Sequence, residues 1–546
     1  MMAQLRGKGW LWAVLLAVMV IWFGNLEYRK LVKPDEGRYA EISREMVASG
    51  DWTTPRLNDL KYFEKPPLQY WTTAAAFEVF GLHNWTARLW TALTGLFGIL
   101  LAYYTGRRVW GGEVGLYAAA VLGSSLLYVM IGHMNSLDMG LTFFMALGMS
   151  GFVLAQHDGA TARENRLWMH VAWAALALAV LSKGLIGIVL PGAVLVLYSL
   201  IQRDWALWKR LHLITGTLLF FAIAAPWFVA VSRANPEFAH FFFIHEHFER
   251  FLTTEHKRYE PWWWFLPVLA VGILPWLINL PEAVWQAGKS SASVCFQPQR
   301  FLLIWAVFIF VFFSASGSKL ASYILPIFPA LALLMALQIE RMNPRRLFWM
   351  TLPLLLAALG LLVLSQFADR FGDADEAVYY HEYARWLAVA ALVWLAGLAL
   401  GLYWLYRQRV RSAVLALALS SLLFSQLVIT GHNSLAPLSS AWRVAQQVQP
   451  FLKPDTPFYS LYMYDNTLSF YLQRPMPLVS FADEMLFGLQ QEPAKGLSFD
   501  AFTAAWRAAP QALAITETKY WKDMQKQIAP TEVVYQDIQY VVIRKP

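Results

Sequence analysis

Apolar stretches of roughly 17–25 residues, the length that crosses a bilayer core, recur about thirteen times in the first 430 residues. The pattern predicts spans over 10–28, 85–105, 114–131, 139–157, 167–182, 184–202 and 212–231, followed by 262–281, 301–316, 320–338, 347–366, 385–405 and 412–430. After Thr430 the periodicity changes. Residues 458–463, 476–481 and 512–516 read as strands, the alternating run 533–542 as one more, and 499–508 and 518–527 as helices. The expected fold is therefore mainly α. A polytopic membrane domain (1–431) carries a long first loop (29–84) with amphipathic juxtamembrane helices, and a C-terminal soluble α/β domain (432–546) follows.

Composition agrees. The chain is 58% hydrophobic and 15% charged, where a soluble protein carries roughly a quarter charged residues. Its 26 Trp and 23 Tyr suit two interfacial belts. One cysteine, Cys295, excludes an internal disulfide and a thiolate-rich metal site. The net charge of +8 does not imply nucleic acid. From His432 onward Lys and Arg balance Asp and Glu at about ten each, so the surplus lies in the membrane loops. Arg6 and Lys8 precede an apolar run from Trp10 to Phe23 that reaches Leu26 without a small-residue cleavage site, which predicts a retained first helix. With the N-terminus inside, every inner loop is basic, from Arg107 and Arg108 to Arg407, Arg409 and Arg411. Thirteen spans then put the C-terminus outside.

In that orientation the unusual ionisable residues collect on the outer side, where each at membrane depth costs at least about 2.5 kcal/mol. Asp35, Glu36 and Arg38 follow Pro34, which suits a first helical turn, and acidic residues there favour the helix dipole. Tyr39, Ile42 and Met46 share one face, which predicts an amphipathic helix lying on the membrane. A well-started surface helix is the plain reading. A carboxylate at a helix start also stays ionised, better as a fixed charge than as a base tuned near neutrality. In Tyr62-Phe63-Glu64-Lys65-Pro66-Pro67 the prolines hold Lys65 extended and start a second helix through Leu68 and Trp71. A salt-bridged turn and a directed pair of charges are both open there.

Asp138 falls at the outer end of the fourth span. Lys183 and Lys319 are lone cations in outer turns that either snorkel to headgroups or bind phosphate as point charges. In the segment from His240 to Arg250, His245 and Glu249 share a helix face while His245 and His247 do not. A divalent metal such as zinc would need a remote ligand, for which Glu64 is the candidate; solvated histidines are the alternative.

The stretches KPDEGRYAEISREM, SGDWTTPRLN and YFEKPPLQYW, in that order after the first span, resemble those of the 4-amino-4-deoxy-L-arabinose transferases. These belong to the GT-C class of polytopic glycosyltransferases, which use lipid-phosphate-linked sugars, and SKGLIG and GSKLASYILP fit as well. The resemblance implies transfer of aminoarabinose from undecaprenyl phosphate to a phosphate of lipid A. The reaction would take place on the periplasmic side of a bacterial inner membrane, would modify lipopolysaccharide, and would give resistance to polymyxin-like peptides. It implies a monomer in the bilayer and inversion at C1. A phosphate acceptor is already anionic near pH 7, so no cofactor is required for the chemistry, and the phosphate leaving group needs cations. Under this resemblance Lys65, Lys183, Arg250 and Lys319 are electrostatic stabilisers, and Arg38 and Tyr323 position phosphates. Tyr39 and Tyr62 either line the sugar pocket or anchor the loop at the interface. Asp35 is the principal acidic residue, facing positive charge at C1 or the donor's ammonium, and Asp138 is the second. Two rivals stay open: a GT-C enzyme with another sugar and a hydroxyl acceptor, and a lipid or solute transporter. A transporter is expected to carry mid-membrane charges and related halves, and neither is visible in the sequence.

Overall fold

The computed structural model describes residues 16–249, 260–289, 296–528 and 530–546. Helix occupies each of the thirteen segments the hydrophobic pattern predicts, though not as thirteen straight rods. Among the described residues eight helices are long and apolar enough to cross a membrane, and two bent pairs bring the number to ten if each is one span: Gly112–Ser124 with Leu126–Gly132 at 67°, and Phe265–Gly272 with Leu277–Gly288 at 115°. At the first bend the hydroxyls of Ser124 and Ser125 donate back to the carbonyls of Ala120 and Val121, competing with the helix ladder. At the second, Pro275 has no N–H to continue the ladder. Ala162–Lys183 and the 17-residue Ile186–Gln202 fill the fifth and sixth predicted positions.

The bundle core is apolar, with buried polar groups satisfied between helices: Trp22 Nε1 donates to Ala92 O at 2.9 Å and Tyr128 Oη to Gly95 O at 2.9 Å. The first loop folds into a helix (Asp35–Ser49), a hairpin of β1 (Arg56–Leu57) and β2 (Leu60–Lys61), and a second helix (Leu68–Phe80) that begins after Pro66-Pro67 as expected.

The first loop helix corrects one expectation. It is not a surface helix with one wet face, because Glu36 through Met46 are all buried. Tyr39, Ile42 and Met46 do share an apolar cluster, but the opposite side is covered by the C-terminal helix Asn466–Leu472. Gly37 permits this approach, since a Cβ there would stand 2.7 Å from the backbone of Asn466 and Thr467.

Beyond the last long helix, which ends at Gly431, the chain forms a six-stranded sheet from β3 (Phe458–Leu461), β4 (Leu478–Val479), β5 (Gly496–Leu497), β6 (Leu513–Glu517), β7 (Glu532–Gln536) and β8 (Tyr540–Arg544). The order is β5-β4-β3-β6-β8-β7, with β8 antiparallel to both neighbours and the remaining pairs parallel. The run 533–542, expected as one strand, is a hairpin. Asp537 Oδ1 accepts from the N–H groups of Gln539 and Tyr540 and turns the chain inside an unbroken alternation.

Candidate functional site

Between the first loop, the segment around His240, the ends of the bundle helices and the C-terminal domain lies a cavity of about 1330 Å³. Asp35, Arg38, Tyr39, Lys65, Asp138, Lys183 and Tyr323 line it, as do Glu64 and His245. Residues predicted from segments far apart in sequence thus converge on one wall system.

Asp35 begins the first loop helix, and Arg38, one turn on, donates from a terminal nitrogen to Asp35 Oδ1 at 3.0 Å. The other terminal nitrogen of Arg38 pairs with Glu484, whose second oxygen accepts from Asn466 Nδ2 at 2.8 Å. Burial first, and then the charge of Glu64, raises the Glu484 carboxyl against the pull of Arg38. Asp35 and Glu36 are neighbours with opposite surroundings: 41% of the Asp35 side chain is accessible, against 1% for Glu36. Glu36 accepts from Arg29 (2.7 and 2.9 Å), Arg88 (2.7 and 2.9 Å) and the N–H groups of Val32 and Asn135 (3.0 Å each). Burial raises its carboxyl, but Arg29 and Arg88 outweigh burial and hold it well below the usual carboxylate range. Glu36 is a buried tie between the first loop and the bundle.

Lys65 donates to Glu246 Oε2 at 2.9 Å, and Glu64 lies 3.9 Å away, so the local salt-bridged turn is the lesser of its two pairings. Asp138 stands in the first turn of Leu137–Gln156 and forms an ion pair with Lys183, the last residue of Ala162–Lys183. Lys183 also lies 4.7 Å from the centre of the Tyr323 ring, a cation–π contact.

Two expected residues depart from their assigned places, and a third cannot be placed. Lys319 is buried and donates to the carbonyls of Ser316 (2.5 Å) and Glu260 (2.9 Å), so backbone satisfies it and it does not line the cavity. Tyr62 is buried in the apolar cluster with Leu57 and Tyr70 rather than in the lining. Arg250 lies outside the described residues. The segment His240–Glu249 is a π-helix, a form frequent at functional sites. Glu64 and His245 face the same cavity, and among the described residues no three His, Cys, Asp or Glu side chains converge as metal ligands.

Sequence reasoning missed Lys33, Glu246 and Glu484, all of which line the cavity. Glu246 sits beside His245 in a segment already singled out for its histidines, and was within reach. Lys33 opens the KPDEG motif but looks like a flanking cation. Glu484 belongs to a C-terminal segment with no motif.

A bundle of bent and straight apolar helices with a cavity of paired cations and carboxylates at its loop end fits a polytopic glycosyltransferase of the lipid-phosphate-sugar class. Residues 10–242 match the family model of dolichyl-phosphate-mannose-protein mannosyltransferases, and residues 444–545 match that of the aminoarabinose transferase C-terminal domain. The chain is 33% identical over 405 residues to the undecaprenyl phosphate-alpha-4-amino-4-deoxy-L-arabinose arabinosyl transferase of Aeromonas hydrophila, covering 71% of each. It is 38% identical over 350 residues to arabinosyl transferase 1 of the same name from Sodalis glossinidius, covering 61% of this chain and 59% of that one. The crystal structure of ArnT from Cupriavidus metallidurans bound to undecaprenyl phosphate superposes with a TM-score of 0.94 at 39% identity, over 98% of each chain. The protein belongs to the undecaprenyl phosphate-aminoarabinose arabinosyl transferase family.

Proposed function

We propose that this protein transfers 4-amino-4-deoxy-L-arabinose from undecaprenyl phosphate to a phosphate of lipid A at the periplasmic face of a bacterial inner membrane. The observation that carries the reading is the convergence of Asp35, Lys65, Lys183 and the Asp138 pair on one cavity, in a chain whose relatives bear this donor in their names. The chemistry balances without a general base. The C1–O bond to the donor phosphate breaks, its electron pair stays on undecaprenyl phosphate, and an acceptor phosphate oxygen forms the new C1–O bond. A monoester dianion becomes a diester as a diester becomes a monoester dianion. Lys65 and Lys183 neutralise the departing phosphate. Asp35 faces the positive charge that develops at C1 or the sugar's ammonium. Arg38 holds Asp35 in place, and Tyr39 and Tyr323 bound the sugar.

No cofactor is required in this reading. Glu64 and His245 are the pair that would hold a divalent cation such as zinc, fewer protein ligands than the three or four of a resident zinc site. The test incubates purified protein with undecaprenyl-phosphate aminoarabinose and lipid A and follows lipid A mass. The expected product carries one added aminoarabinose, and an unchanged mass with authentic donor overturns the reading. Chelator treatment is expected to leave the transfer intact.

A further inference from the structure

Two phosphates must approach C1 in this reaction, one leaving and one attacking, and each brings its own negative charge. Four lysine and arginine side chains among the described residues line the cavity: Lys33, Arg38, Lys65 and Lys183. Three are already matched by carboxylates: Arg38 by Asp35 and Glu484, Lys65 by Glu246, and Lys183 by Asp138. Lys33 is different. Its Nζ donates to two neutral groups, Gln539 Oε1 at 2.6 Å and Tyr540 Oη at 2.5 Å.

The nearest carboxylate, Asp465, is 3.8 Å from Lys33 Nζ and otherwise engaged. Its Oδ2 accepts from Tyr540 Oη at 2.5 Å, and its Oδ1 accepts from the N–H groups of Thr467 and Leu468 at the start of a helix. The Gln539 amide is fixed as well, because its Nε2 donates to Leu438 O at 2.7 Å and so turns Oε1 toward Lys33. Asp465 and Tyr540 are buried, whereas 32% of the Lys33 side chain is accessible. A rigid C-terminal frame thus presents one ammonium to the cavity with more of its charge uncompensated than the other three.

We propose that Lys33 binds the acceptor phosphomonoester, with Tyr540 and Asp465 of the C-terminal domain as its positioning residues. The walls separate the two anions. Lys183 ends a bundle helix and Lys65 stands on the first loop against Glu246, whereas Lys33 is held by the hairpin β7–β8 and the helix after Asp465. The C-terminal domain thereby sets the acceptor pole of a cavity whose donor pole belongs to the first loop and the bundle. This rests on the proposed lipid-phosphate transfer.

The experiment measures transfer by full-length protein in detergent, varying lipid A and the aminoarabinose donor separately. Lys33→Gln is expected to raise the KM for lipid A about tenfold, the scale of a lost charge-assisted hydrogen bond, with the donor KM unchanged and activity restored in part by Lys33→Arg. Tyr540→Phe removes the hydroxyl between Lys33 and Asp465 and lets the carboxylate pair directly with the ammonium. It should raise the same KM by about threefold. This second variant keeps the inference falsifiable if Lys33→Gln does not fold. Equal rises in both KM values with a lowered melting temperature would mark Lys33 as a structural staple, and a rise in donor KM alone would place it at the other pole. Either result overturns the inference while leaving the transfer reading intact. An inactive wild type would sink both.

Discussion

Arg88 closes two hydrogen bonds on Glu36, Nε to Oε1 at 2.7 Å and a terminal nitrogen to Oε2 at 2.9 Å, joining a bundle helix to the first loop across 52 residues. With Arg29 on its other side, Glu36 is fully engaged, and the carboxylate that lines the cavity is its neighbour Asp35. Successive helix positions diverge in direction, which lets adjacent acids serve the core and the cavity separately.

This division predicts opposite phenotypes. Glu36→Gln leaves two buried guanidinium groups facing a neutral amide and should cost roughly 3–5 kcal/mol of stability, read as a lowered melting temperature and poor recovery. Asp35→Asn should purify and melt like the wild type while transfer falls by about a hundredfold or more. A stable, active Glu36→Gln protein would contradict the assignment.

Asp138 and Lys183 form a second pair, 45 residues apart, that faces the cavity. Lys183→Ala should raise the donor KM and Asp138→Asn should lower turnover, each by about ten- to a hundredfold. Because each single change leaves the partner's charge uncompensated, the double variant should lose less than the product of the two. Full multiplicativity in a double-mutant cycle would show that the pair is not coupled in catalysis.

The apolar segments and both loop motifs were legible because length in lipid, proline geometry and loop charge act locally. Lys65, Asp138 and Lys183 stood out because charge near a membrane is costly, and all three line the cavity. What escaped depends on contacts far along the chain. Lys33 meets Gln539 across 506 residues, and Glu484 reaches Arg38 from a segment with no motif of its own. Lys319 misled for a related reason. A lone cation in a sequence looks available, but carbonyl groups can satisfy an ammonium without leaving any pattern. The expected surface helix failed because periodicity shows one apolar face and cannot show that another domain covers the opposite one.

Gly37 marks where that covering is tightest. Gly37→Ala would place a methyl 2.7 Å from the Asn466 carbonyl carbon and the Thr467 amide nitrogen, both backbone atoms that cannot swing aside. The helix must shift, by an overpacking cost of roughly 1–3 kcal/mol. Limited proteolysis should then release a C-terminal fragment faster than from the wild type, with transfer reduced in parallel. Unchanged cleavage and activity would mean that the two surfaces are not held in this register.

The same helix carries a second buried acid whose behaviour should be visible in a pH series. Arg44 binds Glu41 through two hydrogen bonds of 2.7 Å, while Glu45 is 4.0 Å from the guanidinium and accepts the Asp59 N–H at 2.9 Å. One arginine thus serves two carboxylates. Burial, and then the charge of Glu41, pushes the Glu45 carboxyl up to about 8 from an ordinary 4.5. In that window the folded chain holds a proton that the unfolded chain has released, so stability falls as pH rises from about 4.5 to about 8 and levels off above it. Glu45→Gln copies the protonated form and removes the slope. Melting temperatures of the two proteins should coincide near pH 5, and the variant should be the more stable near pH 8, by up to about 3 kcal/mol. Parallel curves across the range would show that Glu45 is ionised in the fold.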